Sequence, residues 1–390
     1  MALKRTVLDY VKEYGGYSFL EKPMTEVDSL VLCQLSYLKF DGLVPEVGED
    51  RRCVTLKSLA EHPDFDRMFA DVRFEKVNRE LFDAMLVGRR FSSLKLNCYV
   101  NVVDKKRETQ FSAVTYILED DSIYVAFRGT DESIVGWKES FNMAFLSPVP
   151  SQEYGVRYLN AVAGRLHRPF YVGGHSKGGN LAVYSAMNCS PNVRDRIIRI
   201  YNMDGPGFRP EVLKNSGYET IAGRVVKILP YSSLVGMIFE WDMHFQVVES
   251  KTFGLAQHDA YTWLVEGENL VRARDVCQRR KRMDNALNRW ILSLDKRQLR
   301  NFVDTLYQVI AASQADDLIE FTEEWKRSIN GMLSALRGID KETMKMLKEV
   351  VKALFEIAGA QLRQDITKNV PAERGTQGIQ SRPKLSLPRS

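Results

Sequence analysis

The sequence predicts an α/β fold: a mostly parallel sheet covered by helices on both faces, followed by a purely helical segment. Three observations carry this. Short apolar strands alternate with helical patterns, one strand breaks into glycine and resumes at once as a helix, and strand patterns vanish after about residue 284. With 390 residues, 44% hydrophobic and 27% charged, the chain can bury a core of one large domain or two. That composition excludes disordered, collagen-like and disulfide-scaffold classes.

The first periodic element follows Pro23. Thr25 precedes Val27, Leu30, Val31, Leu35 and Leu38, and Asp28 stands where a capping box needs its acid, so the spacing predicts a helix of about 15 residues. From Ser93 the period becomes two, with Leu94, Leu96, Cys98 and Val100 on one face, then Phe111, Val114, Tyr116 and Leu118 before the turn Glu119-Asp120-Asp121-Ser122. Ile123–Phe127 is a further strand and ends at Arg128-Gly129-Thr130. Pro169–Gly174 is a short strand running into glycine, and Asn180–Met187 is helical in composition. Strands follow at Arg196–Met203, ending in Asp204-Gly205-Pro206-Gly207, and at Arg224–Leu229. Beyond residue 284 only helical spacing remains, as in Leu299, Phe302, Val303, Leu306 and Ile310. The expected organisation is therefore a catalytic or binding α/β domain over residues 1–284, a helical extension over 285–365, and a disordered basic tail over 366–390.

The formal charge of +5 sits mostly in that tail, where five basic residues face Glu373 alone, so the rest of the chain is close to neutral. The cluster Arg279-Arg280-Lys281-Arg282 opens a segment with helical apolar spacing and reads as a solvated helix face, so nucleic acid is not an expected partner. Five widely spaced cysteines with no CxxC pair imply a reduced, cytoplasmic protein without structural zinc. No apolar run reaches the roughly 20 residues of a membrane helix, and the charged N-terminus is not a signal peptide.

Chemistry centres on Gly174-His175-Ser176-Lys177-Gly178 between a strand and a helix. A serine on so sharp a turn has its hydroxyl held up, and small residues two before and two after it let strand and helix approach. Acyl transfer also needs backbone N–H groups aimed at the developing oxyanion, one from the residue after the nucleophile and one from an earlier strand end. Lys177 and Thr130 stand at those positions.

Together, FRGT at Phe127–Thr130, Trp137 and GHSxGG resemble the class 3 lipase branch of the α/β-hydrolase fold. The chain is most similar to uncharacterised bacterial lipase-like proteins with a helical C-terminal extension. The likeness runs from about residue 22 to 312 through EVDSLVLCQLSYL, AFRGTD, GGHSKGGNLA, SSLVGM and GLAQHDAYTW.

The resemblance implies a base after the final strand. Of five histidines, His62 and His167 precede the serine and His175 adjoins it, which leaves His258, on a glycine-containing loop after the strand Phe245–Ser250, favoured over His244, before that strand. Class 3 lipases carry their aspartate after the strand corresponding to Arg224–Leu229, where this chain has Pro230-Tyr231-Ser232-Ser233 and no carboxylate. Asp204, one strand earlier, resembles the aspartate turn of pancreatic-type lipases and is the expected acid, with Asp242 and Asp259 as alternatives. Lys177 replaces the usual apolar residue, and its ammonium is expected either to attract an anionic substrate or to pair with a surface carboxylate.

The expected function is a serine hydrolase acting on a small or lipid-like carboxylic ester, with Ser176, His258 and Asp204 catalytic, Thr130 and Lys177 holding the oxyanion, and no metal or organic cofactor. The missing aspartate after Leu229 leaves an alternative, a hydrolase-derived binding protein with weak or no turnover. A third reading makes the helical C-terminus an interaction module.

Overall fold

The structure, a computed structural model, describes residues 4–277 except 50–51, 71, 132–133, 144–146, 215 and 241–243, together with 288, 289, 292, 295 and 297. Apart from those last five residues, the expected helical extension lies outside the described residues, as do the basic tail and the cluster at 279–282.

The N-terminal part is helical: α1 (Val7–Tyr14), α2 (Glu26–Leu35), α3 (Leu56–Ala60), α4 (Glu75–Val87) and α5 (Arg89–Ser92). The capping box of α2 is present, with Asp28 N–H donating to Thr25 Oγ1 and Asp28 Oδ2 accepting from Thr25 N at 2.8 Å. This helix is shorter than the apolar spacing suggests. It stops at Leu35, and tight turns in which Tyr37 N bonds Gln34 O and Leu38 N bonds Leu35 O carry Leu38 into the core.

An eight-stranded sheet follows chain order from β1 (Val54–Thr55) through β2 (Lys95–Asp104), β3 (Thr109–Ile117), β4 (Ile123–Phe127), β5 (Phe170–His175), β6 (Ile197–Met203) and β7 (Val225–Pro230) to β8 (Phe245–Val248). Strands β1 to β4 pair antiparallel and β4 to β8 pair parallel. The turn between β3 and β4 is built by Asp120, whose Oδ1 accepts from Ser122 N and Oγ, while Asp121 takes the left-handed backbone that Asp tolerates. Between β4 and β5 lie α6 (Ile134–Asn142) and α7 (Pro150–Arg165), and between β5 and β6 lies α8 (Lys177–Asn188).

Strand order explains the layers. Parallel strands added always on the same side, with crossovers of one hand, put every connecting helix on one face. Ile123, Val125 and Phe127 of β4 indeed pack with Leu159 and Val162 of α7 and Leu181 of α8. The opposite face needs another cover, and the N-terminal helices supply it: Tyr124 and Ala126 of the same strand join Val27, Leu30 and Val31 of α2. The two-residue period of β4 thus feeds two cores.

Candidate active site

The parallel register brings three strand ends side by side. Phe127 of β4 pairs with Gly174 of β5, and His175 of β5 pairs with Met203 of β6, so Thr130, Ser176 and Asp204 all follow the carboxyl ends of neighbouring strands. Ligands of open α/β sheets bind at such ends.

Ser176 occupies the turn between β5 and α8 with φ 58° and ψ −130°, a conformation outside the ordinary wells of an L-residue. Its N–H donates to Met203 O at 2.8 Å, locking the turn to β6. A Cβ on Gly174 would stand 2.2 Å from Gly178 C, and one on Gly178 would stand 2.1 Å from Phe127 O. Both positions therefore exclude any side chain, because strand β4, strand β5 and helix α8 meet there backbone to backbone.

Asp204, fully buried, follows β6 with φ 52° and donates its N–H to Ile228 O at 2.8 Å. Its Oδ1 accepts from the Ser233 hydroxyl at 2.5 Å and from Gly236 N at 3.2 Å. Its Oδ2 lies 2.6 Å from His258 Nδ1, and His258 Nε2 lies 3.0 Å from Ser176 Oγ. A carboxylate oxygen accepts, so Nδ1–H donates to Asp204 and Nε2 presents a lone pair to the serine hydroxyl. Two donors on Oδ1 fix the orientation of the carboxyl group and leave Oδ2 facing the imidazole.

The loop bearing His258 is held from both sides. Gln257 Oε1 accepts from Ser232 N at 2.7 Å, its Nε2 donates to Thr252 O at 2.8 Å, and its carbonyl accepts from Trp263 Nε1 at 2.8 Å. A second histidine packs against the first at a tilt of 34°, with ring centroids of His175 and His258 4.8 Å apart. His175 Nε2–H donates to His258 O at 2.8 Å, which leaves Nδ1 to accept from the Tyr37 hydroxyl at 3.0 Å. Burial, and then the nearby His258, push His175 well below the usual imidazole range, so it stays neutral in this bridge.

The remaining candidates fall elsewhere. Asp259 caps the next turn, its Oδ1 accepting from Tyr261 N at 3.0 Å, and burial raises its pKa. Asp242 lies outside the described residues. His244 is exposed just before β8, His62 accepts from Asp64 N on the surface, and His167 is exposed. Thr130 follows Gly129, and its Oγ1 lies 2.6 Å from Ser140 Oγ. Lys177 departs from both expectations: its ammonium faces neither a substrate site nor a surface acid but is buried against Glu139 of α6 at 3.2 Å. Glu139 carried no signal of its own in the sequence, whereas Tyr37, Ser233 and Gln257 lie in the EVDSLVLCQLSYL, SSLVGM and GLAQHDAYTW segments. Among the described residues, no group of three or more His, Cys, Asp or Glu side chains is placed to hold a metal ion, and no helix is long and apolar enough to cross a membrane.

The model of the Mbeg1-like family, a lipase-like family, matches residues 85–308. That is more than half of the chain, and the chain belongs to this family. No curated protein and no solved structure matches it.

Proposed function

We propose that this member of the Mbeg1-like family is a serine hydrolase of the α/β-hydrolase fold that cleaves carboxylic esters through an acyl-enzyme. The observation that carries the reading is the continuous hydrogen-bonded line from Asp204 through His258 to Ser176, at 2.6 and 3.0 Å. A chance loop histidine does not bridge a buried carboxylate and a serine on a strained turn.

In the proposed cycle, Ser176 Oγ attacks the ester carbonyl while His258 Nε2 takes its proton. The carbonyl oxygen becomes an oxyanion against the backbone N–H groups of Lys177 and Thr130. Asp204 keeps Nδ1 protonated and stabilises the imidazolium, which then returns its proton to the departing alcohol. Water, activated by the same nitrogen, attacks the acyl-enzyme and releases the acid. The binding-only alternative rested on the lack of a carboxylate after Leu229; Asp204 offers one from the neighbouring strand, fed by Ser233 from the very segment that lacks it.

A fluorophosphonate probe tests this reading. Wild type is expected to label and Ser176→Ala is not; absence of labelling in folded wild type defeats it. A series of p-nitrophenyl esters from acetate to palmitate then ranks acyl chain lengths.

A further inference from the structure

Lys177 is the first residue of α8, and both its position and its burial disfavour a cation. The helix dipole puts partial positive charge at that end, and desolvation pulls the ammonium below its usual range while Glu139 opposes the fall. Its three donors are nonetheless satisfied: Nζ lies 2.7 Å from Gln110 O, 2.6 Å from Gln110 Oε1 and 3.2 Å from Glu139 Oε2. Glu139 is satisfied as well. Its Oε2 also accepts from Gln110 N at 2.9 Å, and its Oε1 accepts from Ser151 N at 2.9 Å. The two side chains are 0% and 1% exposed. A well-packed apolar pair often matches a buried ion pair in stability, so burial and charge by themselves do not say what these residues do.

Their attachments do. Lys177 carries one of the two N–H groups assigned to the oxyanion. Helix α6, which carries Glu139, begins at Ile134 shortly after Thr130, which carries the other. The residue beside Glu139 completes the connection: Ser140 donates its hydroxyl to Gly136 O at 2.8 Å, leaving its oxygen to accept from Thr130 Oγ1 at 2.6 Å. Adjacent residues of one helix thus hold each of the two segments.

We propose that Glu139 is a positioning residue for the oxyanion hole, fixing Lys177 at the start of α8 against α6 while Ser140 of the same helix fixes Thr130, so that both backbone donors keep one separation. This rests on the serine-hydrolase reading of Ser176. Such donors must sit about 2.7–3.1 Å from the oxyanion, and a shift of about 1 Å costs on the order of 10²-fold in rate.

The test uses the full chain, with fluorophosphonate labelling rate, kcat and KM on p-nitrophenyl butyrate, and Tm. Glu139→Gln keeps the shape and removes the charge; it is expected to lower kcat and the labelling rate by roughly 10- to 10²-fold with KM within about twofold. The double variant Glu139→Met with Lys177→Met removes both charges but leaves Gln110 N and Ser151 N without their acceptor, so its Tm is expected to fall, and its folded fraction still shows the depressed kcat. Ser140→Ala, partly exposed and nearly isosteric, is expected to lose kcat severalfold. Parental kcat in folded Glu139→Gln, or in the folded fraction of the double variant, overturns the positioning role, and parental kcat in Ser140→Ala overturns the coupling to Thr130. Absence of labelling in the parent protein overturns the hydrolase reading and this inference together, whereas a labelled parent with unchanged variants overturns this inference alone.

Discussion

Two buried ion pairs stand on opposite faces of the sheet, Asp28 with Arg90 beneath the N-terminal helices and Glu139 with Lys177 beneath α8. Their burial is alike: in each, both side chains are 0–1% exposed. Arg90 meets Asp28 through Nε at 2.7 Å and Nη2 at 2.6 Å, and its other donors reach the carbonyls of Ser18, Lys22 and Pro23. Asp28 also accepts from the Tyr10 hydroxyl at 2.9 Å and from Thr25. Every one of those partners belongs to α1, α2 and the segment that joins them, and none adjoins Ser176 in the chain. The Glu139 pair ends instead on the residue that follows Ser176. The contrast teaches that burial and charge do not tell a stabilising pair from a functional one; what the partners are attached to does.

The largest expected effect isolates the chemistry from both pairs. Ser176→Ala is expected to abolish probe labelling and lower esterase turnover by at least ~10³-fold at nearly unchanged Tm, and His258→Ala to cost about as much without adding to it. Esterase activity retained in Ser176→Ala would leave neither pair any catalytic connection. Next, Asp204→Asn keeps the turn, since Asn also tolerates positive φ, but presents an amide to Nδ1 and favours the wrong tautomer. A rate loss of ~10²–10⁴ is expected from steady-state kinetics, with Asp259→Asn within about tenfold of wild type.

The comparison itself is broken or kept by Asp28→Ala. Leaving the Arg90 guanidinium buried without its carboxylate is expected to cost about 3–5 kcal/mol in denaturant unfolding, while kcat of the folded fraction stays at the parental value. A fall in kcat at full folding would make both pairs functional.

The smallest effect concerns pH and the neutral His175. The unfolded chain takes up a proton at this residue below about pH 6.5, whereas the folded chain, whose imidazole titrates well below that range, does not. Its contribution to stability is therefore present above about pH 6.5 and is lost as pH falls below it, by about 1 kcal/mol by pH 5.5. His175→Gln, which keeps a donor for His258 O, is expected to be less sensitive over that interval. Equal slopes of unfolding free energy against pH in the two proteins would show that His175 titrates normally.

Much of the fold was legible because its signals are local. An apolar pattern close to period two marks β3, an unbroken apolar run marks β4, Thr25 and Asp28 mark the start of α2, and Asp120 marks the β3–β4 turn, each through residues a few positions apart. The end of α2 was misjudged because Leu38 keeps the helical spacing while lying in a tighter turn, and apolar spacing reports burial whatever the exact backbone. Around the site, Gly174 was readable for the same local reason, since it faces the backbone of Gly178 in the same strand–turn–helix unit, whereas Gly178 faces Phe127 of the neighbouring strand β4.

The sequence by itself determined strands β2 to β7, helix α8 and the start of α2, and that a serine sits on a sharp turn with a glycine two residues away on each side. Which residues surround that serine was decided only by tertiary structure. Asp204 and His258 are 54 residues apart, Tyr37 and His175 are 138 apart, and Lys177 and Glu139 are 38 apart. No periodicity links such positions. They meet because parallel register aligns the ends of β4, β5 and β6, and because a fully buried carboxylate, imidazole or ammonium must find a partner wherever the packed layers present one.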